Sequence, residues 1–164
     1  MTPSPTGEHQ GLLGKLLTWL DRHWAEPTGG LIYLQLNVAE AEAWPGNYRI
    51  PDLSLLTPAR FDAYRDLYIN GGPDVVVEIR SPDDESYEKL PFYAKIGVRE
   101  VWIIDRDSKR PELYELIDIE LRACEPNYDG WFSSTVTGVQ LQQGDDGKLV
   151  IQMANHPETL ARLP

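Results

Sequence analysis

Hydrophobic positions follow helical spacing in some segments and strand spacing in others, which predicts a mixed α/β architecture. Between residues 8 and 25, leucine and tryptophan recur every three or four positions, the spacing of an amphipathic helix. Pro27 and the pair Gly29-Gly30 predict the end of that helix. Two apolar runs, residues 75–80 and 100–105, are typical of strands buried on both faces, so we expect them at the centre of a sheet.

Shorter patterns predict the elements on either side of these central strands. Residues 31–38 and 48–56 favour two strands joined as a hairpin through an acidic connection. Thr57-Pro58 predicts the start of a short helix that ends near residue 68, because proline suits a first helical turn. Pro91 likewise belongs in the first turn of a helix that runs to about residue 96 and ends at Gly97.

The last third of the chain has mostly strand patterns. Strands are predicted at residues 113–119, 135–141 and 149–153. The order of elements therefore predicts an α/β (α+β) fold, with a central mixed β-sheet flanked by helices and an added C-terminal β hairpin. We expect residues 1–7, which are polar and rich in proline, to form a flexible N-terminal arm.

Composition indicates an ordinary globular protein. Of the 164 residues, 41% are hydrophobic and 25% are charged, which suits one domain with a sizeable core. No apolar stretch approaches the roughly 20 residues of a membrane-spanning helix, and the polar N-terminus does not resemble a secretory signal. A single cysteine, Cys124, excludes an intramolecular disulfide and a cysteine-cluster metal site. We expect a cytoplasmic location and no membrane partner.

The formal net charge of −11 bears on the choice of partner. Nonspecific nucleic-acid binding depends on Lys and Arg side chains that displace counterions, and proteins dedicated to it are usually basic. The acidity of this chain therefore argues against a dedicated nucleic-acid binder. A nucleic-acid substrate would require a local basic patch, a metal that offsets the acids, or a partner subunit.

Candidate chemistry begins with Glu78, an acid within the apolar run 75–80. A buried ionised carboxylate is costly unless a cation or hydrogen bonds compensate it. Asp52 is a second such acid, because it opens the strand segment 53–56. If the two strands are neighbours, the carboxylates meet, and they repel unless one is protonated or a metal lies between them. A hard divalent cation with oxygen ligands fits this arrangement.

These residues also have ordinary structural interpretations. Glu78 could face solvent on an edge strand, or pair with Arg80 or another base. Asp52 could form hydrogen bonds in the turn after Pro51. Lys89 could be a solvated lysine at the start of a helix.

Four motifs in order give the chain a family resemblance. They are Pro51-Asp52-Leu53, Glu-Ile-Arg-Ser-Pro at 78–82, Lys-Leu-Pro-Phe-Tyr-Ala at 89–94, and Gly-Val-Arg-Glu-Val-Trp-Ile-Ile-Asp at 97–105. With this set the chain resembles the Uma2 family of restriction-endonuclease-like proteins, part of the PD-(D/E)XK nuclease superfamily. The resemblance covers roughly residues 8–141. It implies that residues 8–164 form a single restriction-endonuclease-like domain.

The resemblance implies roles for individual residues. It suggests Asp52 as the first metal-binding acid and Glu78 as the second, with the backbone carbonyl of Ile79 as a further oxygen ligand. The lysine of the superfamily usually lies two residues after the second acid, where this chain has Arg80. In this family the lysine is displaced to the following helix, which points to Lys89. The ammonium of Lys89 must then reach back toward Glu78.

Three further residues could support this site. The family often has a histidine at the start of the first helix, and His9 matches it, with Glu8 beside it as a further acid. Arg80 cannot act as a base because it stays protonated, but it could bind phosphate or neutralise Glu78.

The implied function is a metal-dependent endonuclease that hydrolyses DNA phosphodiester bonds with Mg²⁺ or Mn²⁺. Asp52, Glu78 and Lys89 would be its catalytic residues, and the metal would lower the pKa of a bound water. The alternative is a catalytically inactive fold that acts as a protein or nucleic-acid interaction module, which the acidity and Arg80 favour. A further alternative is a homodimer formed through the apolar hairpin or the aromatic tail.

Overall fold

A computed structural model describes residues 6–40 and 42–164, so residues 1–5 of the predicted arm lie outside the described residues. In chain order the strands are β1 (Leu31–Leu34), β2 (Asn37–Ala39), β3 (Tyr48–Arg49), β4 (Leu53–Leu56), β5 (Tyr68–Asn70), β6 (Val75–Arg80), β7 (Glu100–Asp105), β8 (Pro111–Ile117), β9 (Glu120–Ala123), β10 (Phe132–Ser133), β11 (Val139–Gln143), β12 (Leu149–Met153) and β13 (His156–Leu163).

The central element is a six-stranded mixed sheet in the order β1-β4-β6-β7-β8-β9. Its two middle strands, β6 and β7, are parallel, and the neighbouring pairs are antiparallel. Both middle strands match the apolar runs that predicted them. The crossover between them contains a 3₁₀ turn (Tyr87–Lys89) and a short helix, α3 (Leu90–Lys95), which is the third α-helix in chain order.

The first helix lies on one face of this sheet. Helix α1 (Gly7–Leu20) begins at Thr6, whose hydroxyl accepts a hydrogen bond from the His9 amide. It continues through a π-helical turn (Asp21–Ala25) into the short α2 (Glu26–Thr28). Gly29 ends the helical segment with φ of 74°, a conformation that glycine adopts without strain. The predicted helix is therefore present and slightly longer than expected.

Two hydrophobic cores lie on opposite faces of the sheet. Along β6, Val75, Val77 and Ile79 pack toward the α1 leucines and the C-terminal strands. Val76 faces the other way, toward Phe92 and Tyr93 of α3. The alternation follows from strand geometry, and each buried large apolar side chain contributes about 1.5–3 kcal/mol. Glu78 has the same parity as Val76, so it faces α3.

The predicted fold class is confirmed: the sheet is mixed, central and flanked by helices. Pro91 lies in the first turn of α3, as predicted. Gly97 follows that helix with φ of 84°. Within the described residues, no helix has both the length and the apolar character needed to cross a membrane.

The predicted hairpin is present, but each of its strands is broken. The predicted strand 31–38 divides into β1 and β2 at Gln35, whose φ is 48°. The predicted strand 48–56 divides into β3 and β4, with Asp52 in the gap. The break sends β1 and β4 to the central sheet, while β2 and β3 join β5 in a separate three-stranded sheet.

The predicted helix at 57–68 is wrong in extent. A 3₁₀ turn covers Pro58–Ala63, and the chain then enters β5, which pairs in parallel with β2. Thr57 does not cap this turn with its side chain, because its amide and hydroxyl both donate to the buried Asp74. Hydrogen bonds to Asp74, 17 positions away in sequence, therefore fix the start of this turn.

The C-terminal region is larger than the predicted hairpin. Strands β10, β11, β12 and β13 form a four-stranded antiparallel sheet, of which β10 and β13 were not predicted. The strand expected at 135–141 begins later, at Val139, and the one expected at 113–119 begins earlier, at Pro111. Strand β9 was also missed. The buried carboxylate of Glu100 ties this region to β7, because it accepts hydrogen bonds from Ser134 and Thr135.

Candidate active site

Asp52 and Glu78 come together where β4 and β6 pair. These strands are antiparallel with Leu53 opposite Val77, and Asp52, which immediately precedes β4, lies near enough to Glu78 for its charge to raise the pKa of that carboxyl. Asp52 Oδ2 accepts a hydrogen bond of 2.7 Å from the backbone amide of Ile79. The expectation that the two strands are neighbours is confirmed.

Glu78 lies in a buried cluster of charge-assisted hydrogen bonds. Its side chain faces α3 and the residue is only 3% exposed. Lys89 Nζ lies 3.0 Å from Oε1 and 3.2 Å from Oε2, so the lysine does reach back to this acid. The hydroxyl of Tyr93 donates to Oε1 over 2.5 Å. Glu78 therefore does not face solvent on an edge strand.

This environment raises the pKa of Glu78 to about 7. Burial is the largest cause, because it disfavours the charged form, and the charge of Asp52 adds to it. Lys89 and the hydrogen bond from Tyr93 act in the opposite direction. Burial and Glu78 together raise the pKa of Tyr93, so its phenol keeps its proton and acts as the donor. Burial therefore shifts Glu78 toward its protonated form, and the donors around it oppose that shift.

His9 approaches Asp52 from the first turn of α1. Its Nε2 lies 3.1 Å from Asp52 Oδ1, and this hydrogen bond is the main reason that the pKa of His9 is raised. His9 is 7% exposed, and its Nδ1 is buried with no hydrogen-bond partner among the described residues. Asp52 therefore joins the N-terminal helix to the end of β6.

The other two supporting residues are placed differently. Arg80 Nη1 lies 3.3 Å from Asp105 Oδ2, and the guanidinium covers the Tyr87 ring at 5.0 Å from its centroid. The prediction that Arg80 could neutralise Glu78 is therefore wrong, because Lys89 is the cation bonded to Glu78. Glu8 is exposed, and within the described chain it has no hydrogen bond to either acid.

The two acids fit a cation that needs few protein ligands. Within residues 6–40 and 42–164, no group of three or more His, Cys, Asp or Glu side chains is placed to hold a metal ion. Asp52 has one described contact on each oxygen, so both retain acceptor capacity. Two carboxylates with water completing the shell is a donor set that suits Mg²⁺. At Ile79 the observed contact is through the amide, and a role for its carbonyl stays a prediction.

Sequence reasoning missed Tyr93 and the cations around the site. Lys89 and Tyr93 are four residues apart, a spacing that puts two helical side chains on one face and could have revealed the pair. Arg49 lies over the Phe92 ring at 4.5 Å from its centroid. Its charge partly offsets the rise in the pKa of Tyr93. The charge of Arg106 likewise partly offsets the rise in the pKa of His9. Neither arginine has a local sequence signal, because each reaches the site by tertiary packing.

Comparisons with known proteins identify the family and the fold. The model of the Uma2 family, described as "Putative restriction endonuclease", matches residues 1–144. Among solved structures, the chain is similar to "a putative nuclease belonging to DUF820" from Anabaena variabilis, with a TM-score of 0.63 and 19% sequence identity. That match covers 83% of this chain and 76% of the other, and at this identity it shows the shared fold. A search of curated proteins found no match.

Proposed function

The chain belongs to the Uma2 family, described as "Putative restriction endonuclease", and we propose that it is a divalent-cation-dependent endonuclease that hydrolyses DNA phosphodiester bonds. One observation carries the proposal: Asp52 lies against the end of β6, and Lys89 bonds both oxygens of the neighbouring Glu78. Two carboxylates and an ammonium at one end of a sheet are the groups that such a reaction requires.

The cation would be held by oxygen atoms of Asp52 and Glu78, with the carbonyl of Ile79 as a further ligand. When bound, Mg²⁺ or Mn²⁺ would supply a water of lowered pKa and would neutralise charge on the phosphate oxygens. His9 holds one oxygen of Asp52, and the Ile79 amide holds the other. Contacts of this kind orient a ligating carboxylate and sustain its affinity for metal.

Lys89 is the residue proposed to act on the substrate. Its ammonium has three N–H groups, of which two are used by Glu78. The third can hydrogen-bond the attacking water or a phosphate oxygen, which orients the nucleophile and stabilises charge in the transition state. Its side chain is 21% exposed, so it remains accessible from solvent.

Because the net charge of the chain is −11, the proposal depends on cations close to the site. Lys89 donates a hydrogen bond to Glu78. The charge of Arg49 opposes the rise in the pKa of Tyr93, and the charge of Arg106 opposes the rise in the pKa of His9. Positive groups thus lie around the two acids in an otherwise acidic protein. Such a patch can bind the phosphates that flank a scissile bond. We propose DNA as the nucleic-acid substrate.

The test is cleavage of supercoiled plasmid by purified protein with Mg²⁺ or Mn²⁺. Asp52→Asn should abolish nicking, because it removes the ligand charge but keeps an acceptor for the Ile79 amide. Asp146→Asn is the matched control, since Asp146 also bonds a basic side chain, that of Arg162, in the C-terminal sheet. Full nicking by Asp52→Asn, or nicking by the wild type in excess chelator, would contradict the proposal.

The second candidate is an interaction module without turnover. The acidity of the chain and the engagement of Arg80 with Asp105 favour it. It predicts that calorimetric titration with Mn²⁺ gives no heat of binding that depends on Asp52. The nuclease predicts binding that is lost in Asp52→Asn.

Dimerisation and a cytoplasmic location stay predictions. Sedimentation of the purified protein with and without DNA would establish whether a homodimer forms. A dimer seen only with DNA would suit an enzyme that cuts both strands.

A further inference from the structure

The two oxygens of Glu78 are unequally engaged. Oε1 accepts hydrogen bonds from Tyr93 at 2.5 Å and from Lys89 at 3.0 Å, whereas Oε2 accepts only from Lys89, at 3.2 Å. A carboxylate oxygen has about two lone-pair sites. Oε1 is therefore filled, and Oε2 retains one open site. A cation that approaches Glu78 meets a single available oxygen.

Tyr93 is the rigid member of this cluster. It is 0% exposed within α3, and the Phe92 ring packs against its ring at 6.0 Å between centroids with an interplanar angle of 71°. Its hydroxyl therefore has little freedom to leave Oε1. Lys89, by contrast, is partly exposed, and its third N–H group stays available to substrate while the other two remain on Glu78.

Resting on the proposed cation site, we propose that Tyr93 is a positioning residue that determines cation specificity, because together with Lys89 it fills Oε1 and leaves Glu78 to coordinate through Oε2. One-oxygen coordination suits Mg²⁺, which takes few carboxylates, keeps several waters and demands octahedral geometry. Ca²⁺ takes six to eight oxygen ligands and often binds carboxylates through both oxygens. By occupying Oε1, Tyr93 disfavours Ca²⁺ relative to Mg²⁺.

The experiment is calorimetric titration of Mg²⁺ and of Ca²⁺, separately, into the wild type, Tyr93→Phe and Tyr114→Phe. Tyr93→Phe removes only the hydroxyl and frees Oε1. Tyr114→Phe is the matched control, because the Tyr114 hydroxyl also donates to a glutamate, Glu112, over 3.1 Å. Thermal unfolding of each variant establishes that the titrated protein is folded.

The expected result is a change in selectivity. In Tyr93→Phe the affinity for Mg²⁺ should fall by about tenfold, the lower end of the effect of removing a residue that holds a metal ligand. The affinity for Ca²⁺ should fall less or rise, so the ratio of the two dissociation constants shifts toward Ca²⁺. A merely structural defect lowers both affinities by the same factor, because partial unfolding removes the same fraction of sites for each ion.

The outcomes separate this inference from the proposed function. If the wild type binds Mg²⁺ through Asp52 and the ratio is unchanged in Tyr93→Phe, the role of Tyr93 is overturned and the cation site stands. If the wild type binds neither cation, the proposed function fails and the inference fails with it. An equal ratio shift in Tyr114→Phe would also overturn the inference, since that hydroxyl is bound to Glu112.

Discussion

Glu78→Gln tests the electrostatics of the site without any assumption about substrate. The ordinary pKa of this carboxyl is 4.5, and in the folded protein it is about 7. Between these pH values the native protein keeps a proton that the unfolded chain has released. Stability therefore falls as pH rises through this interval, and it is highest below pH 4.5 as far as this group is concerned.

The size of the effect follows from the width of the interval. One pKa unit corresponds to about 1.4 kcal/mol, so a rise from 4.5 to about 7 predicts a loss of about 3 kcal/mol in the free energy of unfolding. Glutamine cannot ionise, so the variant should not show this loss. The comparison uses the slope against pH, and an offset caused by leaving Lys89 without its counter-charge does not affect it.

The assay is urea unfolding of both proteins in metal-free buffer between pH 5 and 8, followed by tryptophan fluorescence. The difference in unfolding free energy, wild type minus Glu78→Gln, should decrease by about 2.5 kcal/mol across this range, because part of the interval lies below pH 5. Glu120→Gln, at an exposed glutamate, controls for the loss of one negative charge. If the difference in unfolding free energy stays constant with pH, the inference that burial disfavours the ionised form of Glu78 is refuted. If the difference increases with pH, the stabilisation of the ionised form by Lys89 outweighs the effect of burial.

Three further substitutions test the pairing of Lys89 with Glu78 and the steric limits at two glycines. Lys89→Met removes the cation that lowers the pKa of Glu78, so the same urea series should show the loss of stability extending above pH 7; an unchanged profile would contradict the pairing. Gly72→Ala would place a Cβ 2.5 Å from the Val98 amide nitrogen, so we expect about 1–3 kcal/mol of destabilisation, measured by urea unfolding. Gly14→Ala, with open space around the added carbon in α1, should instead stabilise by about 0.5–1 kcal/mol, and equal effects at the two sites would refute the steric argument.

Much of the site was predictable because its signals are local in sequence. A carboxylate inside the apolar run of β6 is anomalous whatever surrounds it, so Glu78 could be singled out without coordinates. Pro91 likewise located the start of α3, because proline is excluded from helix interiors. The family motifs then supplied Asp52 and Lys89, which local patterns alone left with ordinary interpretations.

The predictions that failed each depended on a partner distant in sequence. The segment 31–38 has one continuous strand pattern, yet it divides at Gln35 because its halves pair with strands of different sheets. Arg80 was a candidate to neutralise Glu78, but its guanidinium lies against Asp105 on the neighbouring strand. Strand β13 is largely exposed, so it has little hydrophobic pattern, and its pairing with β12 makes it a strand.

The sequence by itself determined the central parallel strands, the helix between them and the acids they carry. Apolar runs and proline restrict the backbone wherever they occur, and this restriction is a property of neighbouring residues along the chain. Only the tertiary structure decided that Tyr93 and Lys89 both engage Glu78, and that His9 and the Ile79 amide hold Asp52. Those contacts join segments up to 43 positions apart, and they exist only because sheet pairing brings those segments together.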